Sequence, residues 1–273
     1  RKTDKKVTSI GGQALMEGVM MRGPTSMAMA VRNKDGFIEV DSVRLKPIRW
    51  YNKVPVLRGV VSFVESLYNG VNTITKSAQV VGDEDEKISN GGMIFAVCAG
   101  VLLAIGLFML VPELIASLID GLIGHSVLLK SLIAGALRMI IFVAYLLIVS
   151  KMKDIRRTFM YHGAEHRTIN CYESGMELTV ENVQKCSTRH NRCGTTFLFI
   201  VMVVSILLFA IVNWILDLLI GDMLSGFVKK LVYFGIKLVI LPFTAGISYE
   251  ILKGVAKLPD NIFAKILRAP GSD

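Results

Sequence analysis

Long apolar runs separated by polar segments dominate the pattern of the chain. Runs of about 18 or more apolar residues are typical of membrane-spanning helices, since about 20 helical residues cross the hydrocarbon core. In lipid a single segment satisfies its own backbone hydrogen bonds only as a helix, so each run is expected to be helical. The predicted spans cover approximately residues 92–118, 127–150, 195–220 and 227–248.

Shorter patterns mark the segment before the first span. Turn-forming residues 33–36 separate two strand-like stretches, 26–31 and 37–40, and predict a β-hairpin. Between residues 55 and 79 apolar residues recur at helical spacing beside charged ones. This pattern predicts an amphipathic helix on the membrane surface, with a re-entrant segment as the alternative. The acidic residues 83–86 are interpreted as a solvated linker.

The predicted fold class is mainly α: a polytopic membrane protein with four transmembrane helices. A small β-hairpin and an interfacial amphipathic helix precede the spans. The expected segments are a glycine- and methionine-rich region with the hairpin (1–54), the amphipathic helix and acidic linker (55–91), the first two spans (92–150), a loop containing histidines and cysteines (151–194), the last two spans (195–248) and a tail (249–273).

Composition and charge support this topology. The chain is 52% hydrophobic with a mean hydropathy of +0.53, which argues against a soluble domain. Of 31 lysines and arginines, 14 lie in residues 1–91, 8 in residues 151–194 and 4 after residue 248. Basic residues are enriched in cytoplasmic segments, so both termini and the central loop are expected to face the cytosol. The lipid bilayer, including its anionic lipids, is the expected partner of these basic segments.

The sequence gives little support to a nucleic-acid-binding protein, to a disulfide-bonded protein or to a cleavable signal peptide. The net charge of +9 is accounted for by the positive-inside rule, and no nucleic-acid recognition motif accompanies it. The four cysteines lack the spacing of a disulfide framework, and reduced thiols are the simpler interpretation. The charged residues 1–8 are not followed by an apolar signal-peptide core.

Candidate chemistry is concentrated in the central loop, which holds three of the four histidines. On a helix, His162 and His166 would lie one turn apart on the same face. Glu165 stands beside them, and the spacing matches the H-x-x-E-H pattern of some metallopeptidases. Two imidazoles with a neighbouring carboxylate predict a metal site in which Glu165 acts as general base.

Further ligands are expected where other segments reach the same interface. His190 and Cys193 directly precede the third span, and Glu250 ends the fourth. Together with His162 and His166 they would provide nitrogen, sulfur and oxygen donors, a set that suits zinc but admits other divalent metals. The alternative is that these side chains only bond lipid head groups or helix ends.

Two basic residues fall near the middle of predicted spans. Arg138 and Lys237 are costly there, and ionisable residues inside a membrane usually serve a function. They are candidates for lining a polar cavity that receives an anionic group, such as a lipid head or a carboxylate. Alternatively they pair with backbone carbonyls or with Glu250. The membrane carboxylates Glu113 and Asp217 lie nearer the outer ends and are not expected to be their partners.

A glycine- and methionine-rich stretch near the N-terminus, residues 9–24, forms a separate motif. Its four glycines indicate close backbone approach or positive φ angles. The candidates for contacting a partner or closing the site are Gly12, Gln13, Glu17 and Arg22.

Four motifs give the chain a resemblance to the YqhQ-like family, bacterial membrane proteins catalogued as a domain of unknown function and labelled metal-dependent enzymes. The motifs are GGQALMEGVMMRGP (11–24), YHGAEHRTIN (161–170), RHNRCGTTFLF (189–199) and GISYE (246–250). The resemblance covers essentially the whole chain and implies a location in the bacterial cytoplasmic membrane and a metal site. The family usually has proline where this chain has Asn191, and it continues past residue 273 with another block.

Three functions are compatible with these features. The first is a metal-dependent hydrolase at the cytosolic membrane interface, acting on a lipid-linked or membrane-peptide substrate. The second is a non-catalytic accessory subunit of an inner-membrane complex such as insertion or secretion machinery, in which any metal would be structural. The third is a transporter or lipid-binding protein, although four spans without an internal repeat argue against transport unless the chain oligomerises.

Overall fold

The structure is a computed structural model that describes residues 8, 10–45, 53–82, 90–119, 121, 126–190, 194–220, 223–224 and 226–255. The predicted acidic linker, His125, Asn191, Cys193 and most of the predicted tail lie outside these residues. The described part is mainly helical, with a small sheet near its N-terminus.

The strands are β1 (Gly11–Leu15), β2 (Gly18–Arg22), β3 (Ser26–Arg32) and β4 (Ile38–Arg44). The helices are α1 (Leu57–Val81), α2 (Asn90–Ile105), α3 (Val111–Leu118), α4 (Val127–Val149), α5 (Lys153–Glu173), α6 (Val180–Lys185), α7 (Gly194–Ile220) and α8 (Gly226–Val255). A π-helical turn, Gly106–Leu110, joins α2 to α3.

The sheet is antiparallel with strand order β1-β2-β3-β4. The predicted hairpin is confirmed as β3 and β4, and its turn is closed by the amide of Phe37, which donates to Asn33 Oδ1 at 2.9 Å. The sequence analysis missed β1 and β2 because glycine is unfavourable in strands. Here glycine is required by packing, since a Cβ on Gly18 would overlap the carbonyl oxygen of Ala30 on the adjacent strand.

Four helical segments are long and apolar enough to cross a membrane, which confirms the predicted four-span fold class. Each packs mainly against the next in chain order. The first combines α2, the π-helical turn and α3, and it lies at one side of the bundle. The spans are Ile94–Leu118, Val127–Val149, Phe197–Ile220 and Gly226–Gly254.

Helix α1 confirms the predicted amphipathic helix but buries an unexpected face. Its buried residues are small, and Gly59 packs against Gly246 of α8 so closely that a Cβ would lie 2.7 Å from the Gly246 carbonyl oxygen. Small residues let helix backbones approach closely in membranes. The apolar stripe is exposed instead, which suits contact with lipid. Its members are Val64, Leu67, Tyr68, Val71 and Ile74.

The central loop is largely helical. Its histidine pair lies on a separate helix, α5, which starts at Lys153 after the second span ends at Val149. Helix α5 packs against β1 and β2. Helix α6 begins after Thr179, whose side chain accepts the amide of Asn182 at 3.3 Å.

Candidate metal centre

One face of α5 is polar although it is buried. The side chains of His166, Asn170 and Glu173 are 4%, 6% and 4% exposed, and they follow His162 at helical spacing. Buried polar groups require partners. The N-terminal sheet and residues 187–190 cover this face and supply several of them.

Three side chains on this face come together as potential metal ligands. One ligand atom each from His162, Glu165 and His166 lie within 4.8 Å of one another. The two imidazole rings have centroids 4.3 Å apart. Glu165 is only 3% exposed, and its Oε2 lies 3.0 Å from His162 Nδ1. The structure therefore brings together the three residues that the H-x-x-E-H spacing singles out.

The hydrogen bonds of the two imidazoles indicate their tautomers. His166 Nδ1 lies 2.6 Å from the carbonyl oxygen of Thr188, which can only accept, so Nδ1 carries the proton. A carboxylate likewise accepts, and Glu165 favours a proton on His162 Nδ1. In a neutral ring the lone pair then belongs to Nε2. Metal-binding histidines commonly have this arrangement, with the other nitrogen donating to a carbonyl or carboxylate.

Strand β1 covers the carboxylate of Glu165. A Cβ placed on Gly12 would lie 2.7 Å from Glu165 Oε1 and 2.8 Å from its Cδ and Cγ. Glycine is therefore required at residue 12 by close approach rather than by its φ angle. The expectation that a glycine in this stretch permits close backbone contact is met at Gly12 and Gly18, whereas Gly11 has open space beside it.

His190 lies beside the three-residue cluster. Its ring centroid is 5.6 Å from that of His166, and its Nε2 is 3.9 Å from Glu173 Oε2. The other oxygen of Glu173 accepts both the backbone amide and the hydroxyl of Thr8, at 2.9 and 2.8 Å. Asn170 holds the same region by donating to the carbonyls of residues 187 and 189.

Asn170 and Glu173 are site residues that the sequence analysis missed. The spacing of the residues could have indicated them, because residues 162, 166, 170 and 173 fall on one helical face. A polar face on a helix usually faces solvent, so the sequence alone gave no reason to expect burial.

The other N-terminal candidates surround the cluster. Glu17 has a φ of 54° and accepts from Arg157 at 2.6 Å and from Tyr161 at 3.2 Å, both on α5. The Glu17 carboxylate raises the pKa of Arg157 above its usual value. Arg22 pairs with Glu65 of α1 at 2.9 Å. These contacts fix β1 and β2 between α1 and α5.

Gln13 and Glu250 lie on the α1 side of the sheet and bundle. The side chain of Gln13 approaches Gly70 of α1, where a Cβ would be 3.2 Å away. Glu250 forms a two-point ion pair with Arg58, whose Nε lies 2.6 Å from Oε1. This carboxylate raises the pKa of Arg58. Glu250 thus joins α8 to α1, and the structure does not bring it into the ligand cluster.

Arg138 and Lys237 line a shared cavity between the spans, at the end of the bundle away from the sheet. Arg138 Nε donates to the carbonyl of Phe108 at 2.7 Å, which agrees with pairing to a backbone carbonyl. Lys237 Nζ lies 3.0 Å from Glu113 Oε2, so the expectation that Glu113 is no partner was wrong.

The fold and the α5 cluster define a class: four-span membrane proteins with a buried histidine–carboxylate cluster beneath a small N-terminal sheet. The chain belongs to the family described as protein of unknown function (DUF1385), whose model matches residues 54–272. The uncharacterized protein YqhQ of Bacillus subtilis (strain 168) is 31% identical over 278 residues, covering 96% of this chain and 83% of YqhQ. Comparison with solved structures gave no match.

Proposed function

We propose that the chain is a metal-dependent membrane hydrolase whose centre is built on α5, at the cytosolic face of a bacterial inner membrane. One observation carries the proposal: His162, Glu165 and His166 place ligand atoms within 4.8 Å of one another on a buried face. Burying such groups is costly unless they are paired or hold a metal.

The donor set fits zinc or a similar divalent ion. His162 and His166 would bind through Nε2, because their Nδ1 atoms face a carboxylate and a carbonyl. His190 and Cys193 are the proposed source of further ligands, since His190 adjoins His166. A divalent metal at such a centre supplies Lewis-acid activation of water or of a substrate oxygen.

Glu165 is proposed as the general base. Its Oε2 contacts His162 and its Oε1 lies beneath the backbone of Gly12, so the carboxylate is held in one position. A fixed, poorly solvated carboxylate next to a metal is suited to accept a proton during hydrolysis. The substrate class proposed is a lipid-linked group or membrane peptide, because only three residues separate the start of α5 from the end of the second span.

Metal content and hydrolysis test this function together. Detergent-purified protein prepared without chelators is expected to hold about one zinc per chain, measured by mass spectrometry. The His162→Ala/His166→Ala variant should lose it, and His125→Ala should keep it, since the sequence places His125 between the first two spans. Glu165→Gln should retain the metal and lose hydrolysis of membrane-peptide and lipid-ester substrates. Wild-type protein without metal would refute the proposal.

A second function, an accessory subunit of an inner-membrane complex, is favoured by the open edge of the sheet. Strand β4 is an edge strand with all seven residues exposed, and Phe37, Ile38 and Val40 are 71%, 60% and 69% exposed. Exposed edge strands are templates for strand addition by a partner. A stoichiometric partner in gently solubilised wild-type protein, lost in Ile38→Lys/Val40→Lys, is expected for this role. Recovery of the chain alone would count against it.

A further inference from the structure

A cavity of about 670 Å³ lies between the four spans, at the opposite end of the bundle from the sheet and α5. It is formed by α3, the start of α4, the end of α7 and the start of α8. Arg138 and Lys237 are each eleven residues from the first residue of their helices. At 1.5 Å per residue the cavity reaches about 16 Å along these helices, about half the thickness of the hydrocarbon core.

The basic residues of this cavity lie outside the three basic segments of the chain. Five lysines and arginines lie outside the basic segments 1–91, 151–194 and 249–273, and all five line this cavity. Two carboxylates accompany them among the described lining residues, so positive charge is in excess. The basic residues are Lys130, Arg138, Lys229, Lys230 and Lys237, and the acidic ones are Glu113 and Asp217.

Two ion pairs join basic and acidic side chains of this cavity. Lys237 pairs with Glu113 at 3.0 Å, and Lys229 pairs with Asp217 at 2.7 Å. Arg138 is 8% exposed, and its Nε donates to the carbonyl of Phe108 at 2.7 Å. Arg138 therefore fills a structural role with one nitrogen and brings a positive charge to the cavity.

A buried amide gives a second, independent indication of a ligand. Asn213 lines the cavity and is 5% exposed. Its Nδ2 donates to Ser131 Oγ at 2.8 Å, but its Oδ1 has no hydrogen-bond partner among the described residues. Buried amide oxygens are normally satisfied. The missing partner is a hydrogen-bond donor, such as a hydroxyl group.

The rim of the cavity indicates how a ligand enters. Leu110 and Leu114 line the cavity and are 52% and 60% exposed. The cavity is therefore bordered by exposed apolar side chains of a helix that is long and apolar enough to span the membrane. A molecule with an anionic head, hydroxyl groups and apolar chains matches this combination of lining residues.

We propose that this cavity binds the phosphate of a hydroxyl-bearing anionic phospholipid, with Arg138 facing the phosphate and Asn213 accepting from a head-group hydroxyl. Lys130 and Lys230 attract the anion near the membrane surface. The same phosphate chemistry exists in water-soluble glycerol phosphate, so the test must separate the two sources. The proposal is independent of the metal centre, which lies at the other end of the bundle.

Lipid binding to the purified full chain in a neutral detergent tests the proposal, by native mass spectrometry with phosphatidylglycerol, phosphatidylcholine and glycerol phosphate. Phosphatidylglycerol is expected to bind at least tenfold more tightly than phosphatidylcholine. Removing two cavity charges in Arg138→Gln/Lys237→Gln should weaken phosphatidylglycerol binding about thirtyfold, at about fivefold per basic residue. The matched control Lys151→Gln/Lys153→Gln removes two exposed charges at the sheet end and should leave binding unchanged.

A second variant keeps the test decisive if the buried substitutions prevent folding. Lys130→Gln/Lys230→Gln changes residues that are not buried, and it should weaken phosphatidylglycerol binding by a similar factor. Equal binding of the two lipids, or an equal loss in the Lys151→Gln/Lys153→Gln control, would overturn the proposal. Binding of glycerol phosphate without preference for phosphatidylglycerol would overturn the assignment to a lipid.

Discussion

Replacing Gly12 by alanine probes the contact between β1 and the candidate metal centre. The added Cβ would lie 2.7 Å from Glu165 Oε1 and 2.8 Å from Cδ and Cγ. Rotating the carboxylate cannot relieve the overlap, because three successive atoms of the side chain are affected. Either strand β1 or the side chain of Glu165 must move.

The required movement is about 0.7 Å, the difference between 2.7 Å and the 3.4 Å at which ordinary contacts begin. Metal–ligand distances tolerate about 0.2 Å. Disturbing a group that holds a ligating histidine typically lowers metal affinity about 10- to 100-fold, and the same loss is expected here. Overpacking a buried contact should also lower the free energy of unfolding of the metal-free protein by about 1–3 kcal/mol.

Zinc affinity is measured by competition with a chromophoric chelator, and stability by unfolding of the chelator-treated protein in detergent. Gly11→Ala is the matched control, because a Cβ at residue 11 meets nothing within 4 Å. Both substitutions remove one glycine from the same strand, so they differ only in the contact with Glu165. Wild-type zinc affinity and stability in Gly12→Ala would refute the proposed packing of β1 on the site.

Three further predictions concern packing, charge and thiol reactivity. Gly246→Ala should destabilise the protein by about 1–3 kcal/mol, because its Cβ would lie 2.6 Å from the Val56 carbonyl oxygen; Gly235→Ala on the same helix should be neutral or stabilising, and equal unfolding temperatures would contradict this. Glu113→Gln removes the carboxylate that pairs with the buried Lys237 and should cost about 1–3 kcal/mol, since Glu113 itself is partly exposed, while adding Lys237→Met should restore most of it; a further loss in the double variant would count against the pair. Burial raises the pKa of the Cys171 thiol, so its thiolate forms only at higher pH and alkylation at pH 8 should require unfolding. Rapid labelling of the native protein at this residue would disprove that burial.

The four spans and the grouping of histidines and a carboxylate on α5 can be read from the order of the residues alone. An apolar run of this length is expected to cross the membrane as a helix, because unpaired backbone N–H and C=O groups are too costly in lipid. The positions of His162, Glu165 and His166 on one face follow from helical geometry once the segment is helical. The hairpin followed from the turn residues 33–36.

Tertiary structure decided the contacts that join distant segments. No local pattern indicates that Gly12 covers Glu165, that Glu250 pairs with Arg58, or that Lys237 reaches Glu113. Each contact joins residues more than a hundred positions apart, and its geometry depends on how whole helices pack. The buried polar face of α5 illustrates the same limit. Helical periodicity gives the face, but only the sheet packed against it decides that it is excluded from water.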